Sequence, residues 1–361
     1  MRRIKVAVIG TRGIPGVAGG VESHCEALYP RLVSKGYDIL VFRRKPYVEC
    51  GLKSWRGVRL IDLWCPRVKS LEAIWHSFVG VLAARFSGAS VVHIHGVGPA
   101  LASPLAKLLG MKVVVTNHGP DYERAKWGRI ARTALRLGER WSCSVADEIV
   151  SISPQIQQRL KERYGRESVL ILNGVELPEV SGADDYLSDL ALTEGRYVLG
   201  LGRFVEEKNF HLLVEAFAEL KPEGWKLVLA GDADHATPYL ELLKRRASEA
   251  GAILTGYIGG ARLCALLRGA GLFVLPSSHE GLPISLLEAM SAGIDVLVSD
   301  IGANRLPELD EGDFFALKQS GALTEALNRK LSTPRRRHFD MSRYDWDSVA
   351  ALTAALYTQQ L

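Results

Sequence analysis

Two carboxylates, Glu280 and Glu288, stand in the stretch from Leu275 to Gly293, Leu-Pro-Ser-Ser-His-Glu-Gly-Leu-Pro-Ile-Ser-Leu-Leu-Glu-Ala-Met-Ser-Ala-Gly. The stretch reads as a strand end, a tight loop and a short helix. Pro283 suits the first helical position, where a missing N–H costs nothing, and Gly293 suits the left-handed residue that closes the last turn. That spacing predicts a helix of about ten residues, roughly 15 Å long. Its body, Ile284, Leu286, Leu287, Ala289 and Met290, is apolar nearly all round, yet Glu288 sits in the middle of it. A buried carboxylate without partners is expensive, and a lone Glu in such a place snorkels to solvent or pairs with a core arginine. Glu280, in the loop at the helix start, opens a second reading. The free N–H groups of a helix N-terminus favour an anion in front of them, and two flanking carboxylates can accept hydrogen bonds from hydroxyls. A phosphate joined to hydroxyl-bearing rings fits both, which is the chemistry of a nucleotide sugar.

Further upstream, Gly200-Leu-Gly202-Arg203-Phe-Val-Glu-Glu-Lys208-Asn209 follows a strand and opens a helix. Arg203 and Lys208 can bring two fixed cations to one phosphate-sized target. A stabilised diphosphate is a better leaving group, so such cations act most strongly as a glycosidic bond breaks and charge accumulates on oxygen. They can do the work that Mg²⁺ does elsewhere; no Asp cluster points to a metal, and no cofactor is expected. His118 is a further candidate. The strand Val113 to Thr116 delivers Asn117-His118-Gly119-Pro120-Asp121 to its carboxyl end, where open α/β sheets place their ligands. His93 and His95 lie on one face of another strand, Val91 to Ile94; with no third ligand nearby, they read as packing or hydrogen-bonding groups at the sheet edge.

A glycine-rich loop, Gly10-Thr-Arg-Gly13-Ile-Pro-Gly16-Val-Ala-Gly19-Gly20, joins a β-branched strand at Ile4 to Ile9 to a helical pattern at Val21 to Lys35. Its glycines do not make G-x-G-x-x-G, and the second strand, Ile39 to Phe42, runs into Arg43, Arg44 and Lys45 where a ribose-binding acid would stand. NAD is therefore disfavoured. What survives is a helix N-terminus behind Gly19 and Gly20, open to close approach by a ligand.

The elements that must position these groups alternate strand and helix in each half, which predicts an α/β protein of two doubly wound domains with a cleft between them. The 361 residues, 47% hydrophobic and 24% charged, are ample for two full cores. Pro178 to Gly195 loses hydrophobic periodicity and reads as a linker, so the domains are expected over 1–177 and 178–343. A terminal helix, within 344–361, is placed to pack back on the first domain. Net charge +5 favours anionic ligands or an anionic membrane surface and is too small to argue for nucleic acid. Five scattered cysteines without a C-x-x-C pattern suit a cytoplasmic protein. The N-terminus enters a strand at once, leaving no room for a signal peptide. The apolar stretch Ile74 to Phe86 is interrupted by His76 and Arg85 and is too short to span a bilayer. A long helix is predicted over Tyr122 to Cys143, carrying Arg124, Lys126, Arg129, Arg132, Arg136 and Arg140, with Trp127 and Trp141 near its ends. Its basic face is either solvated or in contact with anionic lipid headgroups at the inner face of a cell membrane.

Taken together, Gly202-Arg203…Glu207-Lys208-Asn209, Gly231-Asp232, Thr255-Gly256-Tyr257 and Pro276-Ser277…Glu280-Gly281-Leu282-Pro283…Glu288-Ala289-Met290…Gly293…Ser299-Asp300 resemble the retaining family-four, group 1 glycosyltransferases of the GT-B fold. The resemblance covers nearly the whole chain. Gly10-Thr-Arg-Gly-Ile-Pro…Gly19-Gly20-Val21-Glu22 and His118-Gly119-Pro-Asp-Tyr…Lys126-Trp127-Gly128 further resemble rhamnosyltransferase-like bacterial members that build surface polysaccharide. The resemblance implies two Rossmann-like domains facing a cleft, the first for the acceptor and the second for a nucleotide-sugar donor. It implies transfer to a saccharide or lipid-linked hydroxyl, with retained anomeric configuration and no established enzymic nucleophile. By it, Arg203 and Lys208 bind the donor diphosphate, Glu288 accepts from ribose hydroxyls, and Glu280, with Gly281 and Leu282, contacts the transferred sugar. Gly19 and Gly20 approach the phosphate and acceptor, His118 supports the sugar at the reacting face, and backbone around Tyr257 and Ile258 holds the base. Ile301-Gly-Ala-Asn-Arg-Leu-Pro-Glu308 departs from relatives with a Gly-Gly dipeptide after Ser-Asp and leaves the donor sugar open. A nucleotide-sugar 2-epimerase of the same fold and a non-catalytic sugar-nucleotide-binding subunit are the competing readings.

Overall fold

A computed structural model describes residues 3–66, 68, 71–123, 127–177, 185–233 and 236–358. Strand β1 (Lys5–Ile9) leads through the glycine loop into α1 (Gly20–Ser34), followed by β2 (Asp38–Arg44), β3 (Ser54–Trp55), β4 (Val58–Leu63) and α2 (Leu71–Phe86). Next come β5 (Val91–His95), α3 (Ser103–Leu108), β6 (Lys112–Asn117), α4 (Arg129–Val145), β7 (Glu148–Ser151), α5 (Pro154–Tyr164) and β8 (Val169–Leu170). The chain continues with α6 (Tyr186–Asp189), β9 (Tyr197–Leu201), α7 (Phe210–Leu220), β10 (Lys226–Ala230), α8 (Pro238–Glu249), β11 (Ile253–Leu254) and α9 (Gly260–Gly269). It ends with β12 (Leu272–Leu275), α10 (Ile284–Ser291), β13 (Asp295–Ser299), β14 (Phe314–Phe315), α11 (Ala322–Ser332) and α12 (Trp346–Thr358).

Two compact units result: Met1–Gly174 with Tyr344–Leu361, and Val175–Arg343. In the first, an eight-stranded sheet has the order β3-β4-β2-β1-β5-β6-β7-β8, parallel except for the β3–β4 pair. The apolar runs of β1 and β6 are what a strand covered on both faces requires, and β5, which carries His93 and His95, is buried along its whole length. The second unit holds a six-stranded parallel sheet, β11-β10-β9-β12-β13-β14. In both sheets the strand order reverses once, at β1/β5 and at β9/β12. Ligands of open α/β sheets bind outside the carboxyl ends of strands at such a reversal, so the loops after these four strands are the ones to inspect.

Helix α12 belongs to the N-terminal unit. Arg31 Nε lies 3.3 Å from Asp347 Oδ1, Tyr37 donates to the carbonyl of Ala354 at 2.9 Å, and Trp346 packs so closely on Gly174 that a Cβ there would stand 2.4 Å from the indole.

Three sequence expectations change. Tyr122 does not open the long basic helix: it sits in a short 3₁₀ turn, Asp121–Glu123, and α4 begins only at Arg129, after Gly128 takes an extended backbone. Arg124 and Lys126 lie outside the described residues, as does 178–184 of the expected linker, whose remainder contains α6. The helix bearing Glu288 is eight residues rather than ten, because Pro283 (ψ 110°) stands outside it and its carbonyl accepts from Leu286 and Leu287, as a capping residue does. His93 and His95 are not at a sheet edge; β5 is flanked by β1 and β6, and both rings are buried.

Candidate functional site

In the C-terminal unit the loops after β9 and β12 are stitched to each other. On its other side the β9 loop packs on the loop after β10: at Gly231 (φ 143°) a Cβ would stand 1.9 Å from the Gly202 carbonyl, so no larger residue fits. Phe204 is buried edge-on against Phe210, and its N–H donates to the carbonyl of Asp232 at 2.9 Å, which anchors the segment carrying Arg203. From the β12 loop, Ser278 N–H donates to the Glu207 carbonyl at 2.8 Å, while Asn209 Nδ2 donates to the Pro276 carbonyl at 3.1 Å. The outcome is a contact between two residues 72 positions apart: Lys208 Nζ lies 2.5 Å from Glu280 Oε1, with both side chains largely shielded from solvent. Arg203 is half-buried on the same loop, Leu282 is buried, and Gly281 is half-buried.

Glu288 follows on α10. Burial pushes its carboxyl from the ordinary 4.5 up to about 7, and among the described residues no hydrogen bond or ion pair reaches it. The residue is half-buried and does not pair with an arginine. Tyr257, exposed at 57%, and half-buried Ile258 lie on the turn after β11, which is held to the β10 end by Gly231 N–H donating to the Gly256 carbonyl at 2.9 Å. All of these residues sit on segments leaving the carboxyl ends of adjacent strands.

His118, Gly19 and Gly20 belong to the N-terminal unit. Glu22 braces the glycine loop: its Oε1 accepts from Arg12 N–H at 2.9 Å and from Thr11 Oγ1 at 3.3 Å, with the Arg12 side chain at 3.4 Å. A Cβ on Gly19 (φ 145°) would meet that carboxylate at 2.1 Å, whereas one on Gly20 would meet nothing within 4 Å. Gly19 is thus required by its left-handed backbone, and Gly20 is the position left open at the start of α1.

His118 ends a file of aromatic and imidazole groups. Its Nε2 lies 2.9 Å from His95 Nδ1, His95 Nε2 contacts the Tyr29 hydroxyl, Tyr29 reaches His93 Nδ1 at 3.2 Å, and His93 Nε2 meets Thr116 Oγ1 at 2.7 Å. Tyr357, from α12, lies 2.6 Å from His93 Nδ1. Burial holds all the imidazoles neutral: His93 falls to about 3, His24, bonded to Asn173, to about 4, and His95 and His118 well below the usual range. Each ring in the file therefore donates through one nitrogen and accepts through the other. The polarity of the whole line decides whether His118 Nδ1 is presented as a donor or an acceptor.

Sequence reasoning singled out His93 and His95 but missed Tyr29 and Tyr357, and it missed that Lys208 and Glu280 pair. The i, i+2 histidines were a usable signal; nothing local connects Tyr357 to them. Among the described residues, no group of three or more His, Cys, Asp or Glu is arranged to hold a metal ion.

Comparison with known proteins matches two family models along the chain, "Glycosyltransferase Family 4" over residues 18–179 and "Glycosyl transferases group 1" over 187–343. A Bacillus subtilis (strain 168) protein named for teichuronic acid biosynthesis, the glycosyltransferase TuaC, is 26% identical over 247 residues. That alignment takes in 66% of this chain and 60% of TuaC, so the chain spans about three fifths of that relative's length. Sucrose-phosphate synthase from Thermosynechococcus elongatus has the same fold, with a TM-score of 0.83 at 22% identity over 99% of both chains. Anabaena Alr3699/HepE, solved in complex with UDP-glucose, gives a TM-score of 0.72 at 17% identity over 99% of this chain and 95% of that one.

Proposed function

We infer that this chain, which belongs to the group 1 glycosyltransferases of the GT-B fold, moves a sugar from a nucleoside diphosphate sugar to a hydroxyl of a saccharide or lipid-linked acceptor. Bacterial surface polysaccharide synthesis is the setting, within the rhamnosyltransferase-like subgroup. The carrying observation is the Lys208–Glu280 contact, a cation and a carboxylate held together at the reversal of the second sheet with Arg203 on the same loop. In this reading the C-terminal unit takes the donor. Arg203 and Lys208 meet the diphosphate, Glu288 accepts from the ribose, Glu280 with Gly281 and Leu282 contacts the transferred sugar, and backbone at Tyr257 and Ile258 holds the base. The N-terminal unit takes the acceptor, with Gly20 at the open helix start and His118 at the reacting face. The bond from the anomeric carbon to the diphosphate breaks with retained configuration, its electron pair leaving on the diphosphate oxygen; the acceptor oxygen takes its place, and the acceptor proton passes to the departing diphosphate. Two cations stabilise the departing diphosphate without a metal. The protein works in the cytoplasm, in peripheral contact with the inner face of an anionic membrane.

A donor panel read by mass spectrometry tests this. One nucleoside diphosphate sugar should be consumed, with the nucleoside diphosphate released and the acceptor one sugar heavier, in the presence of a chelator. A rearranged sugar formed without acceptor, or nucleotide binding without turnover, would replace the reading. His118→Ala should lower turnover on the order of 100-fold while changing donor affinity little; equal loss in both would move His118 away from the reacting face.

Glu288→Gln has a signature of opposite signs. Because burial raises the folded-state value from 4.5 to about 7, the folded protein holds an extra proton between those values, and its stability declines as pH rises through that window. The amide avoids this cost, so the variant should melt higher than wild type at pH 8 while binding donor more weakly. Wild-type donor affinity at pH 8 would reject the ribose role.

A further inference from the structure

Among the described residues fourteen large hydrophobic side chains lie exposed, and ten of them fall between Trp64 and Trp141 in the N-terminal unit; the C-terminal unit has only Tyr257. On α2 they form a stripe. Leu71, Trp75, Leu82 and Phe86 fall within about 60° of one another at 3.6 residues per turn, with Trp75 48% and Phe86 89% exposed. A surface helix ordinarily turns its charged side outward. This one turns Glu72 inward, where Arg44 Nη1 lies 2.7 Å and the Tyr47 hydroxyl 2.8 Å from its carboxylate. The Trp75 ring meets Trp64 edge-on at 6.0 Å.

The exposed side of α4 carries two parallel lines at the same spacing, Arg129, Arg136 and Arg140 in one, Ile130, Leu137 and Trp141 in the other. Gly138 lies against Val97 and Leu101, which turns the apolar line toward α3 and α2; these helices pack side by side through the Pro99–Ala102 turn. Leu108, 83% exposed, ends α3, which packs on both α2 and α4. The acid of α4, Glu139, is buried and paired with Arg159 at 3.2 Å and Tyr122 at 2.8 Å. With both acids turned in, every outward charge on α2, α3 and α4 is positive: Arg85, Arg129, Arg136 and Arg140, and Lys107, which is paired with Asp147.

We propose that the face formed by α2, α3 and α4 docks the protein onto an anionic lipid bilayer, its apolar side chains seated at the acyl boundary and the α4 arginines among the headgroups. Exposed apolar area beside a uniform cationic line matches an anionic membrane interface, whereas a second copy of the chain would oppose arginine to arginine. Among the described residues no helix is long and apolar enough to cross a membrane, so the face lies on the surface. This inference rests on the peripheral location proposed above and gives it a surface; sugar transfer to a soluble acceptor does not depend on it.

The test is co-sedimentation of the full chain with vesicles of phosphatidylcholine, with and without phosphatidylglycerol. Wild type should pellet with the mixed vesicles at least tenfold more tightly than with the neutral ones, less so at high salt. Replacing Arg129, Arg136 and Arg140 together by alanine should weaken binding on the order of 100-fold. Trp75→Glu with Phe86→Glu should abolish it while leaving nucleoside diphosphate binding and monomer mass unchanged. Wild type remaining in the supernatant, both variants pelleting as wild type does, or a wild-type dimer that the glutamates dissociate would each overturn the proposal. Vesicle binding without any nucleotide binding would instead overturn the donor assignment alone.

Discussion

Replacing Arg203 and Lys208 together by alanine should lower nucleoside diphosphate affinity by on the order of 10²- to 10⁴-fold in isothermal titration, since hydrogen bonds to a charged group contribute roughly 1.5–3 kcal/mol each. The single substitutions should not be equal. Lys208 Nζ lies 2.5 Å from Glu280 Oε1, so Lys208→Ala removes one attraction and also exposes an arriving phosphate to an uncompensated carboxylate. Its loss should therefore exceed that of Arg203→Ala. Adding Glu280→Gln to Lys208→Ala removes the repulsion and should restore part of the binding, a coupling that a double-mutant cycle reads directly. Unchanged affinity in the Arg203/Lys208 double variant would dismiss the phosphate assignment. No recovery with Glu280→Gln would show that the carboxylate lies outside the phosphate's field.

Much of this arrangement was legible one segment at a time. The apolar runs at β1, β9 and β12, the β-branched residues of β5 and the breaks after them identify strands whose carboxyl-end segments carry Gly20, His95, Arg203 and Glu280. What no single segment holds is strand order. Lys208 and Glu280 meet because β9 pairs with the distant β12 as well as with its sequence neighbour β10, and Tyr357 reaches His93 because α12 returns to the first unit. The misplaced start of α4 has a local cause, since the arginine spacing around Gly128 continues a helical pattern that the backbone does not follow. The stripe on α2 escaped for a different reason. A helix apolar nearly all round ordinarily reads as buried, and only the packing of α2 against its neighbours reveals that Leu71, Trp75, Leu82 and Phe86 are left outside. The same bias applied to α10 predicts burial correctly but is silent on Glu288, whose lack of a partner is a tertiary fact.

The largest effect on stability should come from Lys330→Ala, which is expected to destabilise the C-terminal unit by about 3–5 kcal/mol. Lys330, near the end of α11, is buried with its Nζ 2.9 Å from Asp295 Oδ1 and 2.7 Å from Asp313 Oδ1. Arg337 completes the cluster, 2.5 Å from Asp313 Oδ2 and 3.0 Å from Asp310 Oδ2. Asp295 opens β13 and Asp313 leads into β14, so the cluster ties the edge of the second sheet to α11 and to the chain that returns to α12. Burial alone would raise the Asp313 carboxyl, but hydrogen bonds from Lys330 and Arg337 hold it below the ordinary 3.8. A depressed carboxyl contributes stability that is present above its unfolded value and lost as pH falls through the folded one. Without Lys330 the burial cost is less fully offset, so acid unfolding of this unit should begin at higher pH. The penalty arises from the two carboxylates left buried rather than from a large net gain of the intact cluster, and that distinction can be measured. Lys330→Met keeps the packing of the stem but leaves Asp295 to Arg335 at 3.3 Å and Asp313 to Arg337, one buried cation short, so it should be nearly as damaging as alanine, whereas Lys330→Met combined with Asp295→Asn should recover part of the loss. Hydrogen exchange of the β13 amides, compared with those of β5 in the other unit, reports the effect where it arises. Unchanged β13 protection in Lys330→Met would mean that solvent reaches the two acids and that the cluster does not hold the sheet edge.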